Sequence, residues 1–127
     1  MQEYKLTLST TVDGNSTQIS KTGQIEFDEG VLTLVYADEE SQTTVKVEKG
    51  KAEVIRKGDY AMHLYLEEGK TKTGELQIAT GKGEIQVKAH QVKCEVKADK
   101  ALVTLLYDIL FGEEKQEMQI RVLAIKK

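Results

Sequence analysis

The side chains that could do chemistry in this sequence are few and far apart. His90 and Cys94 are four residues apart, and on a β-strand that separation is about 13 Å. One metal ion does not bridge such a distance, and the only other histidine is His63. The sequence therefore predicts no metal site and no cofactor. His90 is interpreted as marking a strand irregularity and Cys94 as a small core residue.

Most carboxylates fall in short polar clusters between apolar segments. These clusters are Asp28-Glu29, Asp38-Glu39-Glu40, Glu67-Glu68 and Glu113-Glu114. General acid–base catalysis needs a carboxyl group whose pKa is shifted by burial, whereas carboxylates in turns are solvated. No nucleophile comes with a base and an orienting group. We therefore expect no catalytic residue, and an enzyme ranks behind the two binding functions considered below.

The composition is charged and slightly acidic, without proline. The 127 residues include 18 basic and 21 acidic side chains, and only Arg56 and Arg121 are arginines. Nucleic-acid surfaces are basic and favour arginine, so nucleic acid is not an expected partner. No segment reaches transmembrane length, and the first residues lack the apolar core of a signal peptide. With Cys94 as the single cysteine, we expect a cytoplasmic protein with no membrane partner.

Apolar and polar residues alternate along nearly the whole chain. A clear case runs through Tyr60, Met62, Leu64 and Leu66 and ends at Glu68-Gly69. Turn signals recur about every 8–17 residues, which is typical of a sandwich or barrel. We therefore predict one all-β domain over residues 1–127, an antiparallel barrel of eight to ten strands.

The alternation changes phase once. Ile85, Val87 and Ala89 occupy odd positions, whereas Val92 and Cys94 occupy even ones. A straight strand cannot keep both sets on one face, so the sequence predicts a β-bulge or short break at residues 90–91.

The segment 101–111 supports two structures. Leucine and isoleucine recur at helical spacing after Asp99, a possible N-cap, and before Gly112. The same segment also alternates, and a second alternating run follows over residues 116–124. That partner favours a hairpin, with a helix kept as the alternative.

The hairpin interpretation predicts a register and an outer surface. Inward residues would pair as Leu105 with Val122, and Asp108 on the outer face would lie diagonally near Arg121 and pair with it or with a lysine. The outer face would then show four apolar residues. These candidate interface residues are Leu102, Leu106, Leu123 and Ile125.

Three polar side chains lie near or in phase with the predicted core. Tyr36 and Tyr107 are in phase with core residues and need partners for their hydroxyl groups, and Arg56 is a third candidate contact. Such groups are common in packed cores, and they are also how a barrel offers polar anchors to a ligand. We therefore name them as candidate ligand-binding residues.

The order and spacing of six short motifs resemble an uncharacterised bacterial family, the YwiB-like proteins. The likeness runs from about Leu6 to Ile125. The motifs are Thr22-Gly23 before Ile25-Glu26-Phe27, the strand from Gly30 to Tyr36, Thr44-Val45-Lys46-Val47, Arg56-Lys57-Gly58, Leu66-Glu67-Glu68-Gly69 and Leu105-Leu106-Tyr107-Asp108. The resemblance implies a lipocalin-like (calycin-type) β-barrel and no assigned activity.

One turn departs from the pattern that the resemblance implies. Where a Tyr-x-Thr-Pro-aromatic-Gly turn is expected, the chain reads Ile78-Ala79-Thr80-Gly81-Lys82-Gly83. Thr80 and Gly83 match, but the tyrosine, proline and aromatic residue do not. Thr80 is therefore a further candidate ligand contact, in a site that this chain has altered or lost.

Two functions follow from the sequence. The first is a barrel that binds a small apolar or amphipathic molecule inside, since barrels of about eight strands either pack solid or hold one small ligand. The second is a non-enzymatic interaction module, a homodimer that uses the outer apolar patch of the C-terminal hairpin.

Overall fold

The computed structural model describes residues 1–127 and contains ten β-strands. No helix in it has the length and apolar character needed to cross a membrane. The strands are β1 (Gln2–Val12), β2 (Asn15–Asp28), β3 (Val31–Ala37), β4 (Ser41–Glu48), β5 (Lys51–Gly58), β6 (Ala61–Glu67), β7 (Thr71–Ile78), β8 (Gly81–Val96), β9 (Lys100–Phe111) and β10 (Glu114–Lys126).

The strands form one closed antiparallel barrel. Each strand pairs with its neighbours in the sequence, and β1 closes the ring by pairing with β10. Closure leaves no free sheet edge, so a chain without proline needs no other edge protection. The predicted all-β, lipocalin-like barrel of eight to ten strands is confirmed, with ten strands.

Two-residue turns set the tight connections. Asp13 and Gly14 have φ angles of 47° and 85°, and Glu29 and Gly30 have φ angles of 51° and 82°. Positive φ at both central residues is the type I′ geometry, whose twist matches that of the flanking strands. Asp13-Gly14 and Glu29-Gly30 are two of the turn signals that recur along the sequence, and each joins two paired strands.

The barrel interior is an apolar core of twenty buried residues drawn from nine of the ten strands. Leu6, Leu34, Leu64 and Leu105 are fully buried and come from widely separated strands. Alternation along each strand places these residues inside and their neighbours outside. Alternation would also place Phe27 and Phe111 inside, but both lie at strand ends and remain more than half exposed.

The predicted bulge interrupts the pairing of β8 with β9. The register shifts between Ala89 and Gln91, so Ala89 faces Tyr107 while Gln91 faces Leu106. His90 is the extra residue, and Ala89 and Val92 are both buried as a result. The phase change in the sequence thus appears as a local bulge in one continuous strand.

The C-terminal segment is a hairpin, and its register differs from the predicted one by two residues. Leu105 faces Ile120 instead of Val122. The reason is the turn: Phe111 already pairs with Glu114, so the connection has two residues and not four. A shift of two residues leaves every side chain on the same face of the sheet. Alternation is therefore the same for both registers and could not distinguish them. The helical alternative is also wrong.

The barrel wall is least regular between β6 and β7. Only three residue pairs join these strands, the last being His63 with Glu75. Gly74 follows at the point where the strands diverge, and a Cβ added there would lie 2.7 Å from the His63 carbonyl oxygen. The β6–β7 turn instead bonds to β8, where the Gly69 amide donates to the Ala89 carbonyl at 2.9 Å.

Candidate functional site

Five turns gather at one end of the barrel, which we call the polar end. They join β1 to β2, β3 to β4, β5 to β6, β7 to β8 and β9 to β10. The inward-facing residues near these turns include charged and phenolic groups, whereas the rest of the interior is apolar. The polar end is therefore where side chains with chemical function meet the barrel interior.

Arg56 is an inward-phase arginine on β5, two residues after the buried Val54. The β5–β6 turn holds its guanidinium group in place. Nη2 donates to Asp59 Oδ1 at 2.9 Å and Nη1 donates to the Tyr60 carbonyl at 3.0 Å, while the guanidinium carbon lies 3.7 Å from the centre of the Tyr60 ring. Contact with an aromatic face and a carboxylate orients the arginine at the mouth of the barrel.

Three phenol groups lie close enough to influence one another, and two of them, Tyr36 and Tyr60, also interact with this arginine. Burial raises the pKa of Tyr36, while contacts with Thr43 and Arg56 offset part of the rise. Burial also raises the pKa of Tyr107 far above its usual value, and the nearby phenols of Tyr36 and Tyr60 add to the rise. Tyr36 and Tyr107 are therefore neutral hydrogen-bonding groups at physiological pH.

Two clefts open to solvent at the polar end, and Arg56 lines both. One has a volume of about 560 Å³ and lies beside Met62, Leu76 and His63, where β6 and β7 pair only briefly. The other, of about 770 Å³, is lined by the β3–β4 turn, Lys21 and Asp59. Lys21 pairs with Asp38 there, so both inward cations have a carboxylate partner from a turn.

The structure brings together three of the four predicted ligand contacts. Tyr36, Arg56 and Tyr107 meet at the polar end. Of these three, only Arg56 lines the two clefts, and the phenols lie behind it. Thr80 lies in the exposed β7–β8 turn at the same end and also lines neither cleft. Sequence reasoning missed Tyr60. Its position four residues after Arg56, across a short turn, is the signal that could have found it.

Asp108 has a different partner from the predicted one. Arg121 faces Thr104, and Asp108 faces Glu117, so the expected pair with Arg121 does not form. Instead His90, at the bulge, donates from Nε2 to Asp108 Oδ2 at 2.7 Å. Asp108 is buried although it has the outward phase. The pair lies in a separate cleft of about 460 Å³ on the barrel wall.

The predicted interface residues all have the outward phase. Leu102 faces Leu123 directly across the β9–β10 ladder, whereas the predicted register opposed it to Ile125. Leu123 and Ile125 are 41% and 49% exposed, and Leu102 and Leu106 are half-buried. Leu102, Leu123 and Ile125 thus adjoin one another on the outer face, whereas Thr104 and Arg121 separate them from Leu106.

Comparison with known proteins places this barrel in a family without an assigned activity. A model of the family described as "Domain of unknown function (DUF1934)" matches residues 4–122, so the chain belongs to that family. No curated protein matches the chain. Among solved structures, the crystal structure of the ywiB protein from Bacillus subtilis is similar, with a TM-score of 0.87 and 19% sequence identity. The match covers 99% of this chain and 92% of that one, and the predicted YwiB-like relationship is confirmed.

Proposed function

We propose that this protein binds a small amphipathic molecule at the polar end of its barrel. The observation that carries the proposal is Arg56, an inward-phase arginine that lines two solvent-open clefts and has the phenol groups of Tyr36 and Tyr60 beside it. A polar head group would lie at Arg56, within reach of the half-buried Tyr36 hydroxyl, and the apolar part would lie against Met62 and Leu76.

The sizes of the clefts fit this class of ligand. Sites for small molecules usually have volumes of about 300–1,000 Å³, with mostly apolar walls and a few polar groups. The cleft beside Met62 has about 560 Å³ and the outer one about 770 Å³. The barrel axis itself is filled by core residues such as Leu64 and Leu105, which are fully buried. We therefore place the ligand at the mouth and not deep along the axis.

The charges around the mouth favour a neutral or cationic head group. The cleft beside Met62 has Glu75 and Glu84 against Lys57 and Lys82 in addition to Arg56, so across the two clefts six carboxylates face four cations. The excess lies in the outer cleft, where Asp38, Glu39, Glu40 and Asp59 face two cations. Both cations, Lys21 and Arg56, already have a carboxylate partner. An anionic head group would meet net repulsion, whereas a hydroxyl or amine would not.

Calorimetric titration with three matched probes tests this proposal. Decanol, decylammonium and decanoate share one alkyl chain and differ in the charge of the head group. We expect micromolar binding of the alcohol and the amine, and weaker binding of the acid. Tyr36→Phe should weaken the binding of decanol, because it removes a hydrogen-bonding hydroxyl group from the site while leaving the ring in place.

Tyr4→Phe is the matched control, because Tyr4 is also a half-buried inward tyrosine but lies near the start of β1, at the end of the barrel opposite the mouth. It should leave the affinity for decanol unchanged. The proposal fails if none of the probes binds, or if the two phenylalanine variants weaken binding equally.

We also propose a cytoplasmic location. Cys94 is the single cysteine, and burial of its side chain raises the pKa of the thiol. A half-buried, protonated thiol without a disulfide partner suits a reducing compartment. Fractionation of the native host with an antibody against the protein would test the location.

A further inference from the structure

One face of the barrel is nearly free of charge. It consists of the outward residues of four neighbouring strands. These are Ser16, Gln18 and Ser20 on β2, Thr7, Ser9 and Thr11 on β1, Gln119, Arg121 and Leu123 on β10, and Leu102, Thr104 and Leu106 on β9. We call these twelve outward residues the charge-poor face. Arg121 is its only charged member.

The opposite side of the barrel provides a direct comparison. The twelve outward residues of Val31–Val35, Thr44–Glu48, Lys51–Ile55 and His63–Glu67 occupy the same pattern of three rows on four strands. Five of those twelve are lysine or glutamate. In a chain with 31% charged residues, the charge-poor face, with one charged residue among twelve, is therefore locally depleted of charge. Depletion of charge is the compositional mark of the centre of a protein interface.

The ends of the charge-poor face carry opposite charges. At one end Lys5 and Lys100 flank Ile125, which pairs with both. At the other end Glu117 lies beside Asp13, whose amide donates to the Glu117 carbonyl at 2.9 Å. Lys115 pairs with Glu117 there at 3.6 Å, so two exposed carboxylates and one lysine leave this end with a net negative charge. The strands thus run from a basic rim, across an uncharged centre, to an acidic rim.

We propose that the charge-poor face binds the same face of a second copy of this chain, forming a two-fold symmetric dimer. The two-fold axis lies in the plane of the face and runs perpendicular to the strands. It therefore places the acidic rim of one copy over the basic rim of the other. The interface is isologous, as most homodimer interfaces are. It is independent of the ligand proposal, because the face lies on the barrel wall and not at its mouth.

The available area sets the expected affinity. With strands about 4.8 Å apart and about 3.4 Å per residue, the face and its two rims cover roughly 19 by 34 Å, or about 650 Å². Two such faces bury about 1,300 Å², at the lower end of the range for specific interfaces, and the curvature of the barrel reduces this figure. The two Arg121 side chains come near the axis and repel each other, although Ser9 and Thr104 flank each one with uncharged acceptors. A dimer of micromolar affinity follows.

Sedimentation velocity over a range of concentrations tests the dimer. The wild-type protein should convert from monomer to dimer in the micromolar range. Thr104→Lys adds a charge to the centre of the face and should weaken the dimer by about tenfold or more. Thr44→Lys is the matched control, since Thr44 is also a half-buried outward threonine on an interior position of a strand. It should change the dissociation constant less than twofold.

A charge swap tests the orientation of the two copies. Lys100→Glu should weaken the dimer, and adding Glu117→Lys to the same chain should restore it, because the two rims meet across the axis. If Thr104→Lys fails to fold, Leu123→Lys replaces it, since Leu123 is already 41% exposed. The proposal is overturned if the wild type stays monomeric at several hundred micromolar, or if the lysine variants on both sides weaken association equally.

Discussion

The hydrogen bond between His90 and Asp108 provides a stringent test of the fold. The Asp108 side chain is 9% exposed and accepts one hydrogen bond from a side chain, that from His90 Nε2 at 2.7 Å. The His90 side chain is 47% exposed. Replacing His90 with alanine would leave a buried carboxylate without its partner, whereas replacing Asp108 would leave an imidazole that water can reach.

The expected loss of stability follows from this difference in exposure between the two side chains. A hydrogen bond to a charged group contributes about 1.5–3 kcal/mol, and exposure of the imidazole places His90→Ala near the middle of that range, about 2 kcal/mol. For 127 residues the entropy of unfolding is about 0.27 kcal/mol/K, so Tm should fall by about 7 °C. Asp108→Ala should cost less, since His90 can be solvated.

A double-mutant cycle isolates the interaction. Urea unfolding of the wild type, His90→Ala, Asp108→Ala and the double variant gives the coupling free energy between the two side chains. The chain offers a matched control in His63 and Glu53, which form the same kind of pair at 2.9 Å but with a more exposed carboxylate. We expect a coupling of about 2 kcal/mol at the bulge and at most about 0.5 kcal/mol in the control.

The reasoning is refuted if the two cycles give equal couplings. It is also refuted if His90→Ala is no more destabilising than Asp108→Ala, because burial of the carboxylate is the source of the expected difference. In either case the bulge would be positioned by the backbone alone.

Three further predictions follow from the fold. Gly74→Ala should destabilise the protein by about 1–3 kcal/mol in urea unfolding, because a Cβ there presses on the backbone of β6. Burial raises the pKa values of Tyr36 and Tyr107, so above about pH 10 the unfolded chain loses protons that the folded chain retains. Stability should therefore fall with rising pH by up to about 1.4 kcal/mol per pH unit for each tyrosine, and Tyr36→Phe should reduce that slope. Cysteines at Leu102 and Leu123, in a chain without its native cysteine, should cross-link on oxidation, since these residues face each other, and failure to do so would contradict the register.

The sequence by itself determined the strands, the turns and the bulge. Alternation assigns the residues of each strand to the inside or the outside, and Asp13, Gly14 and Gly30 adopt the positive φ angles that their residue types favour. The change of phase after Ala89 was enough to locate the bulge. All of these features depend on interactions within one strand or one turn.

The tertiary structure decided which residues meet across strands. Alternation has a period of two, so it could not distinguish Leu105 opposite Ile120 from Leu105 opposite Val122. Only the closed barrel brings His90 to Asp108, and only its ladders place segments of β2, β1, β10 and β9 side by side as one charge-poor face. Alternation specifies the face of a strand on which a side chain lies, whereas register, turn length and closure specify its neighbours. The candidate binding site and the proposed interface both depend on those neighbours.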